Sequence, residues 1–222
     1  MSKRLYVDFH VLQTLPPSCV NRDDTGSPKT AYYGGTTRAR VSSQAWKRAM
    51  RVMFRDELLE EEQVGERTKK IVGLVAEQIQ ALDPEMDAMK KAEDALTKAG
   101  LKIKGADKGT DALFFMSSEQ AKTLAHLAVE GCEEKDAYKA ALKENPSVDM
   151  VLFGRMVASD PSLNYDAAAQ VAHSISTHAV ENEYDYFTAV DDCSPEDNAG
   201  AGHLGTVEYN SSTMYRYATV NM

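Results

Sequence analysis

The chain has 222 residues, 25 Lys and Arg against 34 Asp and Glu, a formal net charge of -9 and 43% hydrophobic residues. That balance excludes a largely disordered or collagen-like chain. No apolar run approaches the roughly 20 residues a membrane helix requires. Three cysteines, Cys19, Cys132 and Cys193, stand far apart and are odd in number. They point to a reducing, cytoplasmic setting rather than to a disulfide framework or a zinc site. The charge is graded along the chain. Residues 1–55 hold ten Lys/Arg and three acids, a net of +7, whereas residues 160–222 hold Arg216 and ten acids, a net of -9. An acidic chain with a basic first quarter suggests a local anion site; the alternative is that the basic end pairs with the acidic one.

In chain order, residues 4–12 alternate: Leu5, Val7, Phe9 and Val11 fall on one side, Tyr6, Asp8 and His10 on the other. This predicts a half-buried strand. Residues 14–41, punctuated by Pro16-Pro17, Asp23-Asp24, Gly26, Pro28 and Gly34-Gly35, predict a long functional loop. A helix then opens at Ser42-Ser43, with Trp46, Ala49, Met50, Met53 and Phe54 facing a core. Residues 57–147 predict several helices. One carries the stripe Ile71, Leu74, Val75, Ile79 and Leu82; another opens on the capping-box pair Ser117 and Gln120. The Gly- and Lys-rich stretch 100–111 predicts a mobile link. Val148–Met156 is apolar enough for a strand, and Asp166 could cap a short Ala-rich helix. Residues 191–206 are turn-rich and acidic, and Val207–Tyr209 with Tyr215–Tyr217 suggest a last hairpin. The chain stops at Met222 at the end of an apparent strand, as a fragment would.

The sharpest local feature is RARVSSQAWKRAMR, residues 38–51. A helix N-terminus carries about half a positive charge, so cations in its opening turns are unfavourable unless an anion arrives. Lys47 and Arg48 lie there, and Arg38 and Arg40 crowd the same end. Backbone N–H groups, the Ser42 and Ser43 hydroxyls and the Gln44 amide would meet one phosphate, and Lys47 with Arg51 the next. Arg22 and Lys29 extend the track. The alternative is a solvated basic helix face. The acidic pairs Asp23-Asp24 and Asp191-Asp192 could ligate Mg²⁺ in a phosphodiester-cleaving site, although such pairs are more often loop caps. No phosphate loop and no basic-Gly-aromatic start of a base-stacking RNA sheet can be read, so base-specific readout by a sheet is not expected.

HVLQTLPPSCVNRDDTGSPKTAYYGG (10–35) and RARVSSQAWKRAMR (38–51) closely resemble the CasC-type backbone subunit of Cascade, the type I-E CRISPR surveillance complex. The likeness resumes at GRMVAS (154–159), ISTHAV (175–180), DYFTAVDD (185–192) and HLGTVEYNSSTMYRYATVN (203–221). The resemblance implies an α+β fold: an RRM-like (ferredoxin-like) palm with a large helical insertion, the fingers, and a β-hairpin or loop thumb. Residues 1–56 would begin the palm, 57–147 form the fingers, and 148–222 supply the rest with a thumb around 185–212. Family members continue past the equivalent of Met222 with another helix and strand, so this palm would be incomplete.

The resemblance further implies a non-catalytic subunit that polymerises head to tail along a CRISPR RNA, beside other Cascade subunits. The guide would pair with target DNA in kinked segments, with no cofactor, metal or membrane involved. Arg22, Lys29, Arg40, Ser42, Ser43, Gln44, Lys47, Arg48 and Arg51 would contact RNA phosphates and sugars. Arg155 and Met156 match the segment beside the kinked nucleotide, and His203-Leu204 the thumb. Related subunits of other CRISPR types cleave RNA with an aspartate after the first strand, so the competing expectation is a metal-dependent ribonuclease using Asp23 or Asp24. A third is a protein-interaction module whose basic end takes an acidic partner.

Overall fold

The computed structural model describes residues 4–105, 109–189, 192–193 and 203–222. Its elements, in chain order, begin with β1 (Tyr6–Ser18), β2 (Thr30–Tyr33), β3 (Thr36–Val41) and α1 (Ser43–Met53). There follow β4 (Gly65–Thr68), α2 (Ile71–Leu82), α3 (Ala88–Lys98), β5 (Phe114–Ser117), α4 (Ser118–Val129), α5 (Lys135–Ala141) and α6 (Val148–Phe153). The chain closes with β6 (Ala169–Val171), β7 (Ser174–Ser176), β8 (Glu183–Ala189) and β9 (His203–Asn221). Helices and antiparallel sheet together make the α+β class expected from the sequence. Contacts divide the chain into two units: residues 1–49 with 170–222, and residues 50–169.

The first unit is a sheet. Its strand order is β1-β9-β7-β3-β2, with β6 and β8 also pairing to β9. β9 replaces the expected last hairpin with one uninterrupted strand of 19 residues. Its second half pairs with β1 from Tyr6↔Asn221 to Ser18↔Asn210, and its first half pairs with β8 from Ala189↔His203 to Glu183↔Tyr209. The β8–β9 ribbon therefore runs on beyond the main sheet as an arm, with every residue of β8 exposed. On one sheet face, Ala39, Val41, Val180 and Met214 form a small core under Ala45 and Trp46 of α1. The Trp46 indole N–H donates to Ser174 Oγ at 2.7 Å, and the Arg216 guanidinium lies 3.6 Å from the Trp46 ring centroid.

Two sequence expectations change in this unit. Pro16 and Pro17 do not end β1, which runs to Ser18. The long loop contains a hairpin, β2–β3, closed by Gly34-Gly35 at φ +62° and +80°. Both residues of such a tight turn need positive φ, which glycine adopts without steric cost. The expected apolar side of β1 is only partly covered: Leu5 is 62% exposed, Phe9 51% and Val11 43%. It shares a face with Met214 and Arg216 through the β1–β9 register, and Leu15 on the same side packs against the small core.

The second unit is mainly helical. Ile71, Val75 and Ile79 of α2 meet Leu96 of α3, Leu124 of α4, Tyr138 and Leu142 in one buried cluster. Each such side chain contributes about 1.5–3 kcal/mol when fully buried. The capping box expected at Ser117 is present: its Oγ accepts from the Gln120 N–H at 3.1 Å, and Gln120 Oε1 accepts from the Ser117 N–H at 3.2 Å. Inside this helical stretch lies a two-stranded sheet, β4–β5, that helix periodicity does not reveal. Val148–Phe153 is a helix, not a strand, and ends at Gly154 with φ +77°. No helix caps at Asp166; the chain there enters β6.

Candidate nucleic-acid interface

The sheet unit gathers the basic residues of the first quarter by backbone pairing. The Lys29 N–H donates to Asn21 O at 2.8 Å, and the Arg40 N–H donates to Lys29 O at 2.8 Å. The Ser42 N–H donates to Asn21 Oδ1 at 3.0 Å. Asn21 thus ties the loop before β2 to the end of β3, where α1 begins. Ser42 is the helix cap: its Oγ accepts from the Ala45 N–H at 3.2 Å. Ser42 is 7% exposed, while Gln44 and Arg48 are exposed and Ser43, Lys47, Lys29 and Arg40 half-buried. Arg22 donates to Gly26 O at 2.8 Å, and a bridge to Pro28 closes its loop. Arg40 donates through Nε to Thr30 O at 3.0 Å. Cations grouped around a helix N-terminus are an arrangement that can complement a phosphate chain.

Other candidates stand elsewhere. Arg51 belongs to the second unit, where its Nε lies 2.9 Å from Asp149 Oδ2 and its guanidinium sits 4.5 Å from the Phe115 ring centroid. Asp149 is 2% exposed and also accepts from the Gly65 N–H and Ser147 Oγ. Arg51 therefore neutralises a buried carboxylate, and the expected pairing of Lys47 with Arg51 on a second phosphate would cost that contact.

Arg155 and Met156 are adjacent in sequence and opposite in setting. Arg155 is 4% exposed; Met156 is 84% exposed. The Arg155 guanidinium donates to Leu163 O, Phe115 O, Gln120 Oε1 and Leu142 O at 2.6–3.2 Å. It lies between the Phe114 and Tyr165 rings, at 5.0 and 4.8 Å from their centroids. Burial pushes its pKa down to about 10, so it stays charged at neutral pH. This side chain fastens the helical unit together, which leaves Met156 as the residue of the pair that a ligand can touch.

Asp23 is a loop cap. Its Oδ1 accepts from the Thr25 N–H, Thr25 Oγ1 and the Ser27 N–H at 2.7–3.0 Å, and the Thr25 hydroxyl leads in holding its pKa below the usual value. Among the described residues no group of three or more His, Cys, Asp or Glu is placed to hold a metal ion. Asp191 lies outside the described residues. His203 pairs with Ala189 through its backbone at the outer end of the arm, and Leu204 is 58% exposed beside it. Sequence reasoning overlooked Glu208. Its carboxylate accepts from Ser27 Oγ at 2.9 Å and Asn182 Nδ2 at 3.0 Å, pinning the basic loop to the root of the arm. No local pattern marks it, because its partners are remote in sequence.

No helix among the described residues is long and apolar enough to cross a membrane. A comparison with curated proteins finds no match. Two solved structures resemble the chain. One, a "CRISPR RNA-guided surveillance complex, pre-nicking", matches with a TM-score of 0.74 and 36% identity over 98% of this chain and 65% of that one. The other, a "CRISPR RNA-guided surveillance complex", matches with a TM-score of 0.61 and 31% identity over 97% of this chain and 63% of that one. The chain thus spans slightly less than two thirds of the length of each. The model of the family described as CT1975-like protein matches residues 7–222, and the chain belongs to that family.

Proposed function

We propose that the chain is a CasC-type backbone subunit of a type I-E Cascade complex, acting in the cytoplasm as a non-catalytic holder of CRISPR RNA. It grips the guide's sugar-phosphate chain whatever the sequence, and base pairing to target DNA does the reading. The observation that carries this reading is the convergence of Arg22, Lys29, Arg40, Lys47 and Arg48 about the Ser42-capped start of α1, in a protein whose overall charge is -9. Similarity to two RNA-guided complexes supports the same partner. The exposed β8–β9 arm fits the role of a thumb reaching to the next copy in a head-to-tail row, and other Cascade subunits would cap such a row.

The test is guide-RNA affinity across a salt series. Four phosphate contacts on single-stranded RNA give a log-log slope of about -3. The double variant Lys47→Ala/Arg48→Ala should bind more weakly at low salt, with a slope of about -1.4 for two remaining contacts. An unchanged affinity and slope would remove this surface from the RNA path.

A further inference from the structure

The sheet face opposite α1 enters the reading above only through Arg40. The β-register places Leu12, Tyr215, Ile175 and Arg40 in one row across four strands. The row beside it holds His10 and Tyr217, and beyond them come Asp8 with Thr219 and Tyr6 with Asn221. The aromatic groups are clustered. His10 Nδ1 lies 2.7 Å from the Tyr215 hydroxyl, with ring centroids 6.1 Å apart and planes 26° from parallel. The His10 and Tyr217 centroids are 5.1 Å apart. The face is open to solvent: Leu12 is 67% exposed, Tyr6 52% and Tyr215 37%, and His10 and His173 are exposed.

Its charge is unlike that of the chain as a whole. Arg40 lies along the row's far end, held by Thr30 O and 3.4 Å from His173 Nδ1. Arg38, two residues earlier on β3, is held by Tyr33 O and Ser176 O. The acid of these rows, Asp8, accepts from the Tyr217 hydroxyl at 3.0 Å. Strands lie about 4.8 Å apart, so the Arg40 backbone stands about 10 Å from that of Tyr215. Aromatic rings at the centre and fixed cations at the rim match single-stranded nucleic acid, whose bases stack on rings while its phosphates seek the arginines.

We propose that this face is a sequence-tolerant stacking platform for unpaired nucleobases of single-stranded RNA, with His10, Tyr215 and Tyr217 as the stacking surface and Arg38 and Arg40 as the phosphate rim. The inference rests on RNA being the ligand, but it concerns a different surface from the opening of α1. Stacking needs a π-face and not a pattern of base-edge donors, so the missing basic-Gly-aromatic motif is no obstacle. The platform is also invisible to motif reading, because His10 and Tyr215 lie 205 residues apart.

The experiment measures anisotropy of a fluorescein-labelled 12-mer of uridine and of a 12-mer with abasic riboses, with the full chain. The uridine 12-mer should bind about tenfold more tightly. Tyr215→Leu should abolish that difference without changing the salt slope, whereas Lys47→Ala/Arg48→Ala should change the slope and keep the difference. His10→Leu, an exposed site, repeats the test if Tyr215→Leu fails to fold, with Trp46 fluorescence reporting folding. A 12-mer carrying 5-iodouridine should photocrosslink to β1 or β9. Equal affinity for both 12-mers, or crosslinks confined to residues 21–48 outside this face, would overturn the platform while leaving the phosphate surface intact. Self-association relieved by Tyr215→Leu, with no base-dependent binding, would give the face to a protein and equally overturn it.

Discussion

Removing the Arg155 guanidinium with Arg155→Met keeps the apolar stem and deletes every polar contact. Four hydrogen bonds from a charged donor are lost, each worth about 1.5–3 kcal/mol. Not all the acceptors are orphaned: Leu142 O keeps its bond from Gln120 Nε2, and Gln120 Oε1 keeps the Ser117 N–H. The loss therefore falls hardest on Leu163 O and Phe115 O. Against it stands the recovered desolvation of a buried cation, about 3.5 kcal/mol when the fall from 12.5 to about 10 is converted at about 1.4 kcal/mol per pH unit. The hydrogen bonds win, and the net destabilisation should be about 3–5 kcal/mol, the range for breaking a buried charged cluster from one side. For a chain of this size that lowers the melting midpoint by about 10 °C, measured by circular dichroism or calorimetry. Arg155→Lys should be nearly as harmful, since an ammonium cannot reproduce the planar fork. Met156→Ala next door, at 84% exposure, should stay within about 0.5 kcal/mol of wild type. A wild-type melting curve for Arg155→Met together with weakened RNA binding would refute this reasoning, because the guanidinium would then serve a ligand and not the fold.

Glu208→Ala should release the basic loop from the root of the arm by removing the acceptor of Ser27 and Asn182. We expect about 1–3 kcal/mol of destabilisation and faster hydrogen exchange at residues 22–27, read by mass spectrometry. Asp160 provides a pH test. The Lys139 ammonium, at 2.7 Å, and the Ser162 hydroxyl hold its pKa at about 2, below the ordinary 3.8. A carboxylate depressed on folding stabilises above its unfolded pKa, and that contribution is lost as pH falls from about 4 towards about 2. In Lys139→Met the acid-unfolding midpoint should move to higher pH, and an unmoved midpoint would show the pair contributes nothing.

The sequence was most legible where structure is local. The Ser117–Gln120 capping box needs four consecutive residues and is found as read. The Ser42 cap depends on contacts one turn away and also holds. Errors came where distant chain decides. Val148–Phe153 is apolar enough for a strand, but Ser147 O accepts from the Met150 and Val151 N–H groups and starts a helix. The β4–β5 pair joins residues some 50 positions apart, so neither strand carries a signal of its own. Met53, assigned to a core face, is 47% exposed, and the backbone widens into a π-turn at Phe54–Leu58 that breaks the 3.6-residue stripe.

For the candidate site, sequence marked the residue types, and structure shows what several of them touch within the fold. Spacing alone treats Lys47 and Arg51 as equivalent, because both lie on one strip of a basic helix. What spacing does not show is that Arg51 is bound to Asp149, nearly a hundred positions away and 2% exposed. The same logic separates Arg155 from Met156. A buried carboxylate or a cage of carbonyls claims the long cations within its reach, because an unsatisfied polar group costs more than a solvated arginine gains at a surface. The residues proposed for phosphate, Lys29, Arg40 and the first turn of α1, are instead brought together by backbone hydrogen bonds at the β3–α1 junction. Affinity should therefore follow the stability of the β3–α1 junction, so Asn21→Ala, which removes the acceptor of the Ser42 N–H, should weaken RNA binding although Asn21 itself is uncharged.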